Sequence, residues 1–187
     1  TAPLLLGIGQ SLVIISGGID LSVGFVMGMS AVVLATVVQS FSGEAHGVAL
    51  AIGILLTFLV CLIPGLINGL LVTKLKVPPF IGTLGMYGVA RGSGFIIADG
   101  MTVPVDNNWL YKLGTEKILG IPIVVLIVII VVIIFHFILS QTKFGQYTYA
   151  IGGNREAAIR SGINVDRHII LIFVLSSFCA FLAGLVY

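Results

Sequence analysis

The fold class this chain predicts is an all-α, polytopic bundle of membrane-spanning helices, and three observations predict it. Of its 187 residues, 58% are hydrophobic and only 9% are charged, whereas a soluble domain is about a quarter charged. The mean hydropathy is +1.21. Apolar runs long enough to cross a hydrocarbon layer about 30 Å thick, roughly twenty residues at about 1.5 Å each, recur along the chain, and the charges gather between them. The 24 glycines fit the same class, because helices that pack in lipid use small residues to bring their backbones close.

Residues 4–39 are apolar but interrupted by Gly17-Gly18-Ile19-Asp20-Leu21-Ser22-Val23-Gly24, which makes either two short membrane helices or one broken helix. Residues 48–72 are a clear span. Inside it Pro64 removes a backbone donor and kinks the helix, Asn68 lies one turn on, and Gly65-x-x-x-Gly69 offers a close-packing face. In a chain this rich in glycine, Gly24-x-x-x-Gly28 and Gly88-x-x-x-Gly92 are spacings expected by chance. Residues 80–98 are a weaker span, because they hold Arg91 and several glycines. In residues 99–120, Val103-Pro104-Val105 and the Asn107-Asn108 pair predict extended and turn structure, and Trp109 with Tyr111 suits a membrane interface. Residues 121–139 and 168–187 complete the clear spans.

The chain opens without Met and both ends lie in apolar runs, so the expectation is the interior of a longer membrane subunit. Residues 1–187 read as one transmembrane domain, with 141–167 as a cytoplasmic loop inside it. Loop charges orient the bundle. Residues 40–47 lack Lys and Arg and contain Glu44; 73–79 hold Lys74 and Lys76; 99–120 mix Asp99, Asp106 and Glu116 with Lys112 and Lys117; and 140–167 hold Lys143, Arg155, Arg160 and Arg167. By the positive-inside rule, 73–79 and 140–167 are cytoplasmic and the other two loops face outward.

Several function classes drop out. The net charge of +2 makes no basic face for nucleic acid. Cys61 and Cys179 stand singly among apolar residues and read as small core residues. No metal site and no catalytic residue is expected, since the chain has no Gly-x-x-x-x-Gly-Lys-Ser/Thr phosphate loop, His-Glu-x-x-His, Cys-x-x-Cys or Gly-x-Ser-x-Gly. A membrane-embedded enzyme is therefore disfavoured. If the protein works with ATP, another polypeptide has to bind the nucleotide.

Polar residues inside the spans are the candidates for function. A carboxylate at the bilayer centre costs about 2.5 to 3.5 kcal/mol on insertion scales, so Asp20 either lines a polar pathway or is satisfied as a cap, with Asp20 or Ser22 accepting from the free amides that open the next helix. Arg91 either snorkels or pairs, with Asp20 and Asp99 as possible partners. His136 reads as interfacial. In the long basic loop, Asn154 is a good N-cap, Glu156 suits the first turn, Ala157 and Ala158 favour helix, and Gly162 is a natural C′ stop. A short helix is expected there, across the cytoplasmic mouth of the bundle.

The order Glu156-Ala157-Ala158-x-x-x-Gly162 in a basic inside loop resembles the signature that permease subunits of ATP-binding-cassette importers present to their ATPase. In chain order, Ser16 through Gly24, Gly65-Leu66-Ile67-Asn68-Gly69, Val77-Pro78-Pro79-Phe80-Ile81-Gly82-Thr83-Leu84-Gly85, Ala90-Arg91-Gly92, and Tyr149-Ala150-Ile151-Gly152-Gly153-Asn154 through Ser161-Gly162-Ile163-Asn164-Val165 resemble the landmarks of the ribose-type monosaccharide permease family. Residues 99–120 match no such landmark. The resemblance implies a bacterial inner-membrane subunit of roughly ten spans, which imports a monosaccharide by alternating access. It further implies cytoplasmic ATPase subunits carrying ATP and Mg, a second permease that is a copy or a paralogue, and a periplasmic sugar-binding protein. Gly152, Gly153, Asn154, Glu156, Ala157, Ala158 and Gly162 would then couple to the ATPase, and Asp20, Ser22, Asn68 and Thr83 would contact substrate. The competing readings are permeases of the same fold for nucleosides or branched-chain amino acids, and an ion-coupled secondary transporter.

Overall fold

The computed structural model describes residues 1–41, 46–105 and 107–187. Glu44 and Asp106 lie outside the described residues, as does the side chain of Trp109, and the expectations placed on them are not addressed by the structure. Helix α1 is Ala2–Ile15, α2 Val23–Ser40, α3 His46–Thr73, α4 Pro79–Ile97 and α5 Asn108–Thr115. A two-residue antiparallel ladder, β1 Lys117–Ile118 with β2 Ile121–Pro122, leads into α6 Ile123–Gln141, α7 Lys143–Gly153, α8 Arg155–Arg160 and α9 Val165–Leu185. Among the described residues, four helices are long and apolar enough to cross a membrane: Val23–Ser40, Gly47–Thr73, Ile123–Gln141 and Val165–Leu185.

The 4–39 region is therefore two helices, separated by residues 16–22. Gly17 has φ 81°, a left-handed conformation open to glycine at no steric cost, and α1 ends there. The two helices run in opposite senses along α9. Val13 of α1 lies by Phe173, and Gly9 by Ser176 and Cys179, whereas α2 rises with α9 from Asp20 beside Ser176 to Ser30, whose Oγ donates to the Phe181 carbonyl at 3.2 Å.

Helix α9 is the centre of the packing, in contact with α1, α2 and α3. Its approach to α3 needs glycine. A Cβ on Gly65 would stand 2.5 Å from the Phe173 carbonyl oxygen, and one on Gly69 2.8 Å from the Ile170 Cα, so the expected packing face is real. By contrast, Gly24, Gly28, Gly88 and Gly92 have open space where a Cβ would be, and those two spacings pack nothing within the described residues.

The segment 99–120 departs from expectation. Residues 102–105 are non-helical, but Asn107 does not open a turn: its Oδ1 accepts from the Leu110 amide at 3.3 Å and caps α5. Leu110 and Leu113 of that helix face Leu50, Ile54 and Ile127, which explains why eight residues hold a helix on the end of α3 and α6.

Candidate functional site

Helices α7 and α8 make up most of what reads in sequence as a basic loop. Thr142 caps α7, its side chain accepting from the Gly145 amide. Thr148 Oγ1 stands 2.9 Å from His168 Nε2 on α9, with the Phe144 ring tilted against the imidazole, centroids 4.5 Å apart, so α7 is fixed against the first turn of α9. Helix α7 was not foreseen, and the signal was Thr142 three residues ahead of Gly145.

Helix α8 forms as its residues dictate. Asn154 Oδ1 accepts from the Ala157 amide at 3.0 Å. At the other end Gly162 has φ 82°, its amide bonds the Ile159 carbonyl at 3.0 Å, and the Ile163 amide bonds the Ala158 carbonyl at 3.1 Å. That pair of bonds is a Schellman C-cap. Glu156 sits in the first turn and Arg160 in the last, both favourable to the helix dipole.

Which face of α8 is free corrects the sequence reading. Ala158 is buried in the chain's own core with Ile151 and Val165, so it is not a surface residue awaiting a partner. Glu156, Ala157, Arg160 and the apolar Ile159, 55% exposed, form the outer face. Gly152 is partly open to the surface, but a Cβ there would overlap the carbonyl oxygen of Ile15 at the end of α1, while Gly153 has open space.

The two basic loops meet at one end of the bundle, as their charges require. Asp166 accepts Lys74 at 3.3 Å, Lys76 at 3.7 Å and Arg155 at 3.5 Å. This convergence of the α3–α4 loop, the start of α8 and the first turn of α9 was missed, because nothing in the order of residues places Lys74 beside Asp166. Exposed pairs of this kind are each worth roughly 0.2 to 1 kcal/mol, but together they tie α8 to α3 and α9.

The four expected substrate contacts come together in a buried polar knot. Asp20 Oδ1 accepts from the Ser22 amide at 2.9 Å and from Ser22 Oγ at 2.6 Å, and Oδ2 accepts from Ser176 Oγ at 3.3 Å. Asn68 Nδ2 donates to Ser22 Oγ at 3.0 Å, Thr83 Oγ1 lies 3.4 Å from the Ile19 carbonyl, and Gln10 Nε2 donates to the Asp20 carbonyl. Asp20, Ser22, Asn68, Thr83 and Ser176 are all fully buried. Asp20 thus serves the N-cap residue of α2, Ser22, and not an amide further into the helix. Among the described residues Asn68 Oδ1 has no hydrogen-bond partner. Gln10 and Ser176 were missed, because each lies beside a second polar residue, Ser11 or Ser177, in an apolar helix, and nothing in the order of residues says which one turns inward.

Neither carboxylate proposed for Arg91 pairs with it. Among the described residues it makes no ion pair within 4.0 Å, and its guanidinium lies over the Phe25 ring, 5.6 Å from the centroid.

Comparison with known proteins places this geometry. Residues 2–187 match the family model described as branched-chain amino acid transport system, permease component. The chain belongs to that family. It is similar to the ribose import permease protein of Bacillus subtilis, 37% identical over 96% of this chain and 55% of the relative. It is also similar to the D-allose transport system permease protein of Escherichia coli, 35% identical over 98% of this chain and 55% of the relative. The L-arabinose transport system permease protein of Escherichia coli is 36% identical over 95% of this chain and 52% of the relative. The chain therefore spans about half the length of these relatives. No solved structure matches it. As a family member the chain is a multi-pass membrane permease component, and its relatives are transport proteins.

Proposed function

We propose that this permease is part of an ATP-driven importer of the bacterial inner membrane, which moves a monosaccharide delivered by a periplasmic binding protein. A second permease subunit completes the pathway, and ATP and Mg are held by a separate cytoplasmic ATPase. The observation that carries the reading is α8: a helix capped at both ends, held at the basic end of the bundle by Asp166, with Glu156, Ala157, Ile159 and Arg160 turned outward. An isoleucine turned outward between charged neighbours on such a helix suits an apolar contact with another protein. The names of the relatives, for ribose, allose and arabinose, support a sugar as cargo.

In this account ATP-driven closure of the ATPase moves α8, and the Arg155–Asp166–Lys74 bridge passes the movement to α9 and α3. Those helices carry Ser176 and Asn68 of the polar knot, so alternating access would repack the contacts around Asp20. Reconstituting the full subunit in vesicles with its ATPase and binding protein tests the proposal. Uptake of labelled ribose, allose or arabinose should require internal ATP and the binding protein. Uptake of leucine instead would contradict the sugar assignment, and uptake driven by a sodium or proton gradient without ATP would contradict the importer class.

A further inference from the structure

The basic end of the bundle holds more positive charge than the acids around it balance. Among the described residues, Lys74, Lys76 and Arg155 share the one carboxylate of Asp166, and Glu156 is taken by Arg160 at 3.9 Å. Three cations against one acid leave two positive charges over. Lys76 Nζ and an Arg155 nitrogen reach the same oxygen, Oδ1, at 3.7 and 3.5 Å, so the two exposed heads stand side by side. Lys76 is held there against the backbone's preference: its φ of 55° is the left-handed conformation of the turn after α3, natural to glycine and unfavourable for a long side chain. Strain of this kind persists where a side chain has work to do.

Behind these two cations runs a cleft of about 270 Å³, bounded by the α1–α2 turn, the end of α3, the start of α4 and α9. Its depth is apolar. Val72, Val77, Ile169 and Phe173 line it beside Gly17 and Gly18, and Phe173 lies about 12 Å along α9 from Val165 at a rise of about 1.5 Å per residue. The span of α3 ends at Thr73 and that of α9 begins at Val165, which puts Lys76 and Asp166 at the ends of two spans, at the level of lipid headgroups. The chain neighbours of the lining, Ile19, Leu75 and Phe80, are large, apolar and exposed. An apolar rim at that depth is covered by lipid.

We propose that this cleft binds an anionic phospholipid, with its phosphate between Lys76 and Arg155 and an acyl chain against Val72, Val77, Ile169 and Phe173. The inference goes beyond the importer reading and holds for any cargo. Guanidinium and ammonium groups are the side chains that pair with phosphate, and basic pockets between membrane helices take anionic headgroups. A free phosphate would leave the apolar depth empty, and an acidic protein segment would bring unpaired backbone into it. The bound lipid rests on the Gly17-Gly18 turn, two residues from Asp20.

The test titrates the full subunit in mild detergent with phosphatidylglycerol or with zwitterionic phosphatidylcholine and reads the thermal midpoint. The midpoint should rise with phosphatidylglycerol, and not with phosphatidylcholine or inorganic phosphate. Lys76→Gly, which suits the left-handed φ, and Arg155→Gln should each raise the half-saturating phosphatidylglycerol concentration at least tenfold. Lys143→Gln removes the same charge at the other end of α7 from Arg155 and should leave that concentration unchanged. Val77→Trp keeps every cation and fills the cleft, so it should abolish the rise. Equal weakening by Lys143→Gln and Lys76→Gly overturns the site, because the attraction is then a diffuse property of a basic surface. So does an undiminished rise in a folded Val77→Trp; if that variant does not fold, the comparison of Lys76→Gly with Lys143→Gln decides. An equal rise with inorganic phosphate assigns the cations to a soluble anion, and an equal rise with phosphatidylcholine means that no headgroup is recognised; either result overturns the proposal.

Discussion

Gly152→Ala is expected to strip the subunit from the membrane fraction, while Gly153→Ala, one residue on, leaves it at the wild-type level. A methyl group at Gly152 would overlap the carbonyl oxygen of Ile15, which is backbone at the end of α1 and cannot rotate away. Overpacking costs about 1 to 3 kcal/mol where side chains can yield, and here the whole of α7 has to move off α1. Gly153 has nothing within 4 Å and no left-handed φ, so its substitution falls within about 0.5 kcal/mol, as surface changes do. The check is the amount of folded subunit recovered from membranes in mild detergent and its thermal midpoint. Equal recovery of the two variants would mean that α7 does not sit on α1 as described.

Asp20→Leu carries the second large effect. The change leaves the Ser22 amide, the Ser22 hydroxyl and the Ser176 hydroxyl without their acceptor in a fully buried site, and each orphaned donor costs about 1 to 3 kcal/mol. The junction of α1 and α2 should come loose, and folded subunit should be lost. Asp20→Asn keeps one oxygen able to accept and should lower the thermal midpoint only modestly. Unaltered stability of Asp20→Leu would show that the knot does not hold the junction. Normal folding of Asp20→Asn with abolished uptake would instead assign the charge of Asp20 to transport.

Much of this was legible in the residues, and what was not has a physical reason. Spans declare themselves through length and apolarity, which act locally. The caps at Asn154 and Gly162 were readable because capping involves only the next three or four residues. The break at Gly17-Gly18 was visible, but whether the chain continued or reversed there was not, since that depends on how α1 and α2 lie against α9. For Arg91 pairing and snorkelling stay open in the residues, because sequence shows that a charge must be satisfied and not where its side chain points. The buried side of Ala158 escaped notice for the same reason: a six-residue helix is too short for its periodicity to declare a face. Asn107-Asn108 was read as a turn although it begins α5, because Asn serves both purposes and the deciding contact, Leu110 and Leu113 against α3 and α6, is tertiary.

The two alanines of α8 now part company. Ala158→Trp would drive an indole into the chain's own core and is a poor probe of docking, whereas Ala157 faces outward with open surroundings on the described chain. The most direct measurement of the central claim is therefore the recovery of ATPase with affinity-purified Ala157→Trp subunit. This variant should reach the membrane at the wild-type level, and the ATPase recovered with it should fall at least tenfold. Wild-type recovery of ATPase, together with unimpaired ATP-driven uptake, would contradict the assignment of α8 as the element that couples this permease to its motor.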